Sequence, residues 1–564
     1  MFAFDRRLRV CLFGVAFVAA CGDSEGTGAS AGSSSGGSSS TSGGSGPGGS
    51  TQDGGGGSTG TFNAGGADAG PVFPEEPIVE AGAPANASEL FGDPGSGAPT
   101  GGPCLYEPEL GALLPKNWLR PRFSYAPGAE QNLFEIRFHA ESEPSDLVVY
   151  TTQSQWTMPE ELWADIAPNV QDEPITVTIR GAVFDGTAIV GEPTIGSQGP
   201  ITIAPVAAEG AIVYWTTSGG SSLKGFKVGD ESVVSALAPA QVQMPTTGGP
   251  VTCVGCHTST PDGKYASFVA QGPWSNVIGS IEEGTVGQRP PFLGAGAEQF
   301  LTAATDLGIH TYSKGHYDDG DHIMVTPSGA YANAELIWVD LEATQASQGS
   351  AWGVFARDGD ARGVGSPAWS HDGETIVYVS SDAELTGRLD VGPADLYSIE
   401  YNDRQGGPAT PLAGAATAEW EEYYPALSPD DTLTVFNRIP DGQNMYNAGS
   451  AELFVIPTIG GEPVRLAAND PPTCTAKTSP GVTNSWPKWS PEAKQHGGRT
   501  YYWVIFSSTR SAAGNPQLYI TAVVKDGTNI TTYPALYLWN QPPGENNHTP
   551  AWDVFEIPPV PPPG

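Results

Sequence analysis

Ser366-Pro367-Ala368-Trp369-Ser370-His371-Asp372-Gly373 leads straight into the apolar run Thr375-Ile376-Val377-Tyr378-Val379, and the phrase returns elsewhere in the chain. Tyr424-Pro425-Ala426-Leu427-Ser428-Pro429-Asp430-Asp431 precedes Thr432-Leu433-Thr434-Val435-Phe436. Shorter copies stand at Trp486-Pro487-Lys488-Trp489-Ser490-Pro491 and Thr549-Pro550-Ala551-Trp552-Asp553, and weaker ones end in Pro261-Asp262-Gly263 and Asp318-Asp319-Gly320. Aligned on Pro367, equivalent positions fall at 257, 314, 367, 425, 487 and 550, with steps of 57, 53, 58, 62 and 63 residues. A period of this size marks a repeat architecture whose units cannot bury their faces alone. Each unit reads as a short strand, an Asp-Gly turn suited to positive φ, and two or three further strands such as Asp395-Leu396-Tyr397-Ser398-Ile399. Six starts predict six blades.

The start at Pro550 lies too near the C-terminus to complete a blade. Its missing strands are expected upstream, at Ala211-Ile212-Val213-Tyr214-Trp215, Ser222-Leu223-Lys224-Gly225-Phe226 and Val233-Val234-Ser235-Ala236-Leu237. Pairing the last strand with these would close a ring over residues 208–556 and leave no sheet edge exposed. With its Pro-Ala-Trp-Ser-x-Asp-Gly phrase this region resembles the WD40-like (PD40) repeats of the TolB-type six-bladed β-propellers. The resemblance implies a fold and a binding role, and is nearly silent on activity.

Upstream, residues 103–207 carry short alternating runs, among them Leu133-Phe134-Glu135-Ile136-Arg137-Phe138 and Ile175-Thr176-Val177-Thr178-Ile179, separated by turn residues. The period-two spacing predicts an immunoglobulin- or fibronectin-like β-sandwich, making the whole chain all-β. Trp118, Trp156 and Trp163 are read as packing residues in preference to a carbohydrate platform.

Arg6, Arg7 and Arg9 precede the apolar stretch Val10 to Ala20, the layout of a secretory signal over residues 1–20 and too short for a membrane span. Its end, Val18-Ala19-Ala20-Cys21, resembles a bacterial lipobox, which implies that Cys21 carries a lipid anchor after cleavage. Residues 21–102 are rich in Gly, Ser and then Pro and read as a disordered tether; residues 557–564 form a Pro-rich tail. The folded part is expected outside the cytoplasm, held to the bacterial envelope at the outer membrane.

Sixty-two acidic against 25 basic residues give a formal charge of −37, which excludes a general nucleic-acid binder and docking on anionic lipid through a basic face. The tail holds no G-x-S-x-G elbow and no room for an α/β catalytic domain after the repeats, and no catalytic acid or base stands out among so many carboxylates. The chain is therefore not read as an enzyme.

One motif carries chemistry. Cys253-Val254-Gly255-Cys256-His257 has the C-x-x-C-H spacing of covalent haem c attachment, with the thiols of Cys253 and Cys256 bonded to the porphyrin and His257 on the iron. A disulfide between Cys253 and Cys256, or a zinc site, are the rival readings. The repeat alignment puts His257 at the mouth of the channel, with residues 271–300 long enough to cover it, and the resemblance implies such a motif in this blade of some propellers. A second axial ligand would come from His316, His322, Met324 or His548, or be absent. Cys104 and Cys474 are expected to pair in a disulfide stapling the sandwich to a propeller loop. Asp318-Asp319-Gly320-Asp321 reads as a turn and not a calcium loop. The function expected is a lipid-anchored binding module for an envelope protein or glycan, carrying one haem. A mono-haem electron-transfer protein is the alternative, and a haem-free propeller with a Cys253–Cys256 disulfide is a third reading.

Overall fold

The computed structural model describes residues 70–271, 275–303, 307–329, 334–382 and 392–558. The signal sequence, Cys21, the tether as far as residue 69 and the tail from residue 559 lie outside the described residues. The protein is all-β: its longest described helix is the ten-residue Glu160–Asn169, and no described helix is long and apolar enough to cross a membrane.

In the N-terminal part, a six-stranded sheet runs in the order Ile78–Val79, Leu147–Thr151, Leu133–His139, Pro174–Ala182, Thr194–Ile203, Leu113–Leu114. A three-stranded sheet of Cys104–Glu107, Arg122–Ala126 and Gln155–Thr157 accompanies it. Alternating inward residues Phe123, Ile136, Phe138, Val149 and Ile179 fill the core, with the Phe123 ring 4.8 Å from Phe138 and 5.9 Å from Trp156. Trp118, Trp156 and Trp163 are buried there; the Trp156 indole N–H donates to Glu80 and that of Trp163 to the Trp118 carbonyl.

The tether ends sooner than its composition predicts. Residues 70–102 belong to the folded part: Ile78 pairs in parallel with Val149, Phe73 and Phe91 are buried, and Ala87–Phe91 is a short helix. The cause is a buried charge. Arg180, 0% exposed, pairs with Glu135 at 2.6 Å and directs its remaining donors at the carbonyls of Phe91, Asp93 and Ser96. A buried guanidinium needs every donor met, so the 91–96 backbone wraps over the sheet to supply acceptors.

Besides the two-stranded pair Ala356–Asp358 with Gly406–Pro408, six further sheets follow among the described residues. Their first strands are Gly255–Ser259, Gly363–Val364 with Ala368–Trp369, Trp420–Leu427 and Asn484–Trp489, together with the bridge from Thr311 to Val325 and the C-terminal strand Asn547–Asp553. Asn547–Asp553 pairs antiparallel with Ala211–Thr216, Ile212 opposite Trp552 and Val213 opposite Ala551. Hydrogen bonds link each sheet to the next: Thr258 to the His310 carbonyl, Trp369 N–H to Thr311, His371 N–H to Asp431, Asn437 to the Asn484 carbonyl and Ser507 to the Asn547 carbonyl. Ser259 donates to Asp553, linking the sheet of Gly255–Ser259 to the C-terminal strand.

The second repeat is corrected by four residues. His310, not position 314, stands level with His257 and Pro367, because Thr311 bridges Val325 as Ala368 pairs with Val377. Asp318-Asp319-Gly320 mimics the repeat's turn, yet Lys314–Asp318 is a helical turn ahead of it. The segment expected to cover the channel, 271–300, includes the strand Ser275–Ser280 and the start of the helix Ala295–Ala303.

The sandwich packs on the last sheet. Trp118 lies 6.2 Å from Trp552, the Trp539 indole donates to the Arg120 carbonyl, and Cys104 and Cys474 are joined by a disulfide with Cα atoms 5.9 Å apart.

Candidate functional site

On the first strand of four repeats the chain makes the same irregularity. Cys256, Tyr424, Trp486 and Thr549 have φ of 50, 50, 61 and 44°, and the ladder register shifts between Gly255 and Thr258, Tyr423 and Ala426, and Ser485 and Lys488. Proline explains three of the four, since a residue with no N–H cannot continue a ladder and is tolerated at a bulge. A bulge re-aims its side chains, and here it turns them toward one another.

Together they line one cavity of about 30 Å³, to which all six repeats contribute: Cys256 and His257, Ile309, Pro367, Tyr424, Trp486 and Lys488, and Pro550. The Trp486 and Tyr424 rings stack across it at 3.9 Å. A second cavity of about 250 Å³ shares His257 and Lys488 and is walled by Trp369, Trp489, Trp552 and Asp553.

Burial governs the electrostatics. His257 is 6% exposed; its Nε2–H donates to the Val213 carbonyl at 3.2 Å, so Nδ1 carries the bare lone pair, and that atom has no partner. Desolvation pushes its pKa down to about 4, with the neighbouring Lys488 and His310 acting in the same direction. Burial likewise lowers His310 to about 4 and Lys488 to about 8. These rings are neutral at pH 7 and Lys488 is charged.

The expected haem residues are placed less favourably. Cys253 is fully buried beside Ser221, whose hydroxyl is 3.6 Å from its sulfur, while Cys256 is half-buried at the smaller cavity. A haem requires both thiols and the imidazole to face a space of ligand size, and ligand pockets run to about 300–1,000 Å³. Here Cys253 is enclosed, the Nε2 of His257 is committed to a backbone carbonyl and the shared space is about 30 Å³. As folded, the motif does not fit the group, and no chemistry is assigned through it.

The four expected distal ligands have other neighbours. His316 bonds Asp321 at 2.9 Å against Trp369 and Tyr401; His322 stacks on Phe292 at 4.2 Å; Met324 is core. His548 is buried 4.6 Å from Trp215, with burial lowering its pKa to about 4. Among the described residues no group of three or more His, Cys, Asp or Glu is arranged to hold a metal ion.

Two site residues escape the sequence reading. His310 is hidden by the misplaced second repeat. Lys488 had a legible signal, because it fills the position held by Ala368, Ala426 and Ala551 in the other copies of the phrase.

No protein-family model matches the chain, and no curated protein matches it in sequence. It is similar to the solved hydrazine synthase of Kuenenia stuttgartiensis at 13% identity, over 51% of this chain and 70% of that one, with a TM-score of 0.29. It is similar to a puromycin-hydrolyzing peptidase of Mycobacterium tuberculosis at 14% identity, over 66% of this chain and 52% of that one, with a TM-score of 0.29. For a prolyl endopeptidase the values are 11% identity, 58% and 48% coverage, and a TM-score of 0.30. The chain thus spans about half the length of either peptidase.

Proposed function

We propose that residues 208–556 form a closed six-bladed β-propeller of TolB-like, WD40-repeat type that acts as a binding module outside the cytoplasm, held to the bacterial outer membrane by a lipid on Cys21. The observation that carries this reading is the convergence of all six repeats on one cavity, with the C-terminal strand paired to Ala211–Thr216. Repeat units that cannot stand alone gain a continuous core by stacking, and a strand shared between the two ends of the chain holds such a stack together. The partner class is an envelope protein or glycan, met at the channel mouth.

The test uses the full lipidated chain and envelope extracts. Wild type is expected to retain a protein or glycan that the channel variant Trp486→Arg does not. A wild type that retains nothing while turning over a substrate contradicts the reading. An absorption spectrum of the protein from its own host checks the cofactor: no Soret band is expected, and a Soret band with a mass gain of one haem would reinstate the mono-haem electron-transfer alternative.

A further inference from the structure

Besides Tyr312, six charged or titratable side chains stand on the wall of the 250 Å³ cavity, His257 among them, and four are satisfied. Lys314 pairs with Asp318, His371 with Asp431, and Glu492 with Lys494. Asp553 accepts from the Ser259 hydroxyl and the Val554 N–H. Among the described residues Lys488 makes no hydrogen bond and no ion pair within 4 Å, although the Asp553 carboxylate on the same wall attracts it from further off. Neither neighbouring imidazole neutralises it: His257 Nδ1 and His310 offer no negative charge. A half-buried cation with no contacting partner carries a desolvation cost that a bound anion would offset. The fold itself does not ask for the charge, since alanine serves at the equivalent positions 368, 426 and 551.

We propose that Lys488 is the recognition group of a small-carboxylate site, the ligand's carboxylate pairing with Lys488 Nζ and its apolar body resting among Trp369, Trp489 and Trp552. The inference rests on the propeller reading, which makes this cavity the channel, and adds the ligand chemistry to it. A phosphate would call for several converging donors or an arginine fork. One ammonium among indole walls matches a single negative charge on an apolar body, the usual balance of a small-molecule site. The carboxylate is either that of a free organic acid or the end of a peptide chain.

The probes are benzoate and benzamide, read by thermal unfolding of the full wild-type chain. A ligand that binds only the folded state raises Tm by mass action. Benzoate in the millimolar range is expected to raise Tm by about 2 °C or more, benzamide not at all, and Lys488→Met to lose the benzoate shift. Equal shifts from benzoate and benzamide in wild type overturn the inference without recourse to any variant, as does a benzoate shift retained in Lys488→Met. A peptide ending in a free phenylalanine carboxylate separates the sources: a shift absent from its C-terminal amide identifies a chain end, and a shift with benzoate alone identifies a free acid. A protein whose strand Asn547–Asp553 is cross-linked to the segment after Ala211–Thr216 and which ignores benzoate refutes this inference alone; failure of that cross-link ends both readings.

Discussion

Lys488 costs the empty protein stability. Its folded pKa of about 8 lies below the ordinary 10.5, so the ammonium is disfavoured in the fold and the penalty is full below pH 8. It fades as pH rises toward 10.5, where both states are neutral. Lys488→Met is therefore expected to stabilise the ligand-free protein by about 1–3 kcal/mol at pH 7, the gain shrinking above pH 8, read from urea midpoints. A loss of stability on this substitution would mean that the ammonium has a partner. The same residue illustrates what a repeat hides: Lys488 stands out only once the copies are laid one on another. Cys253-Val254-Gly255-Cys256-His257, by contrast, is conspicuous as a string, yet its geometry turns on the Val213 carbonyl, forty-four residues earlier, and on a bulge at Cys256. Spacing along a chain says which groups are near in sequence and not whether they share a space.

At the scale of elements, the Pro-Ala-Trp phrase was legible because its copies fall in the first strands of their sheets, and proline at a bulge has a local cause. The second copy was not, since Lys314–Asp318 coils into a helical turn whose acidic end imitates the repeat's own. Residues 70–102 misled for another reason: their order depends on Arg180, a buried charge some ninety residues away, and no local composition signals that. The junction of the turn after Gly255–Ser259 with the C-terminal segment is equally tight. Gly263 sits at φ +72°, and a Cβ there would meet the Val554 carbonyl oxygen at 2.0 Å. Gly263→Ala is expected to cost about 1–3 kcal/mol or more and to speed hydrogen exchange in Asn547–Asp553; unchanged exchange would show that the two segments are not in contact.

For the whole molecule, the sandwich and the last sheet share one core, and the Cys104–Cys474 disulfide spans a sequence separation of 370 residues. A cross-link across so long a loop restricts the unfolded chain strongly, so Cys104→Ser with Cys474→Ser is expected to lose about 2–5 kcal/mol against urea. Trp118 on Trp552 and Trp539 on Arg120 should keep the sandwich docked all the same, and small-angle scattering of an unchanged radius checks it.

The account turns on the two ends of the repeat region being joined. Asn546 N–H donates to the Ser218 hydroxyl at 2.8 Å, just beyond the paired strands and on the surface. A Ser218→Cys, Asn546→Cys protein should form, on mild oxidation, an intramolecular disulfide found by mass spectrometry between peptides containing residues 218 and 546, with no loss of fold. A folded protein in which that bond does not form, or forms only between molecules, would contradict the closed propeller.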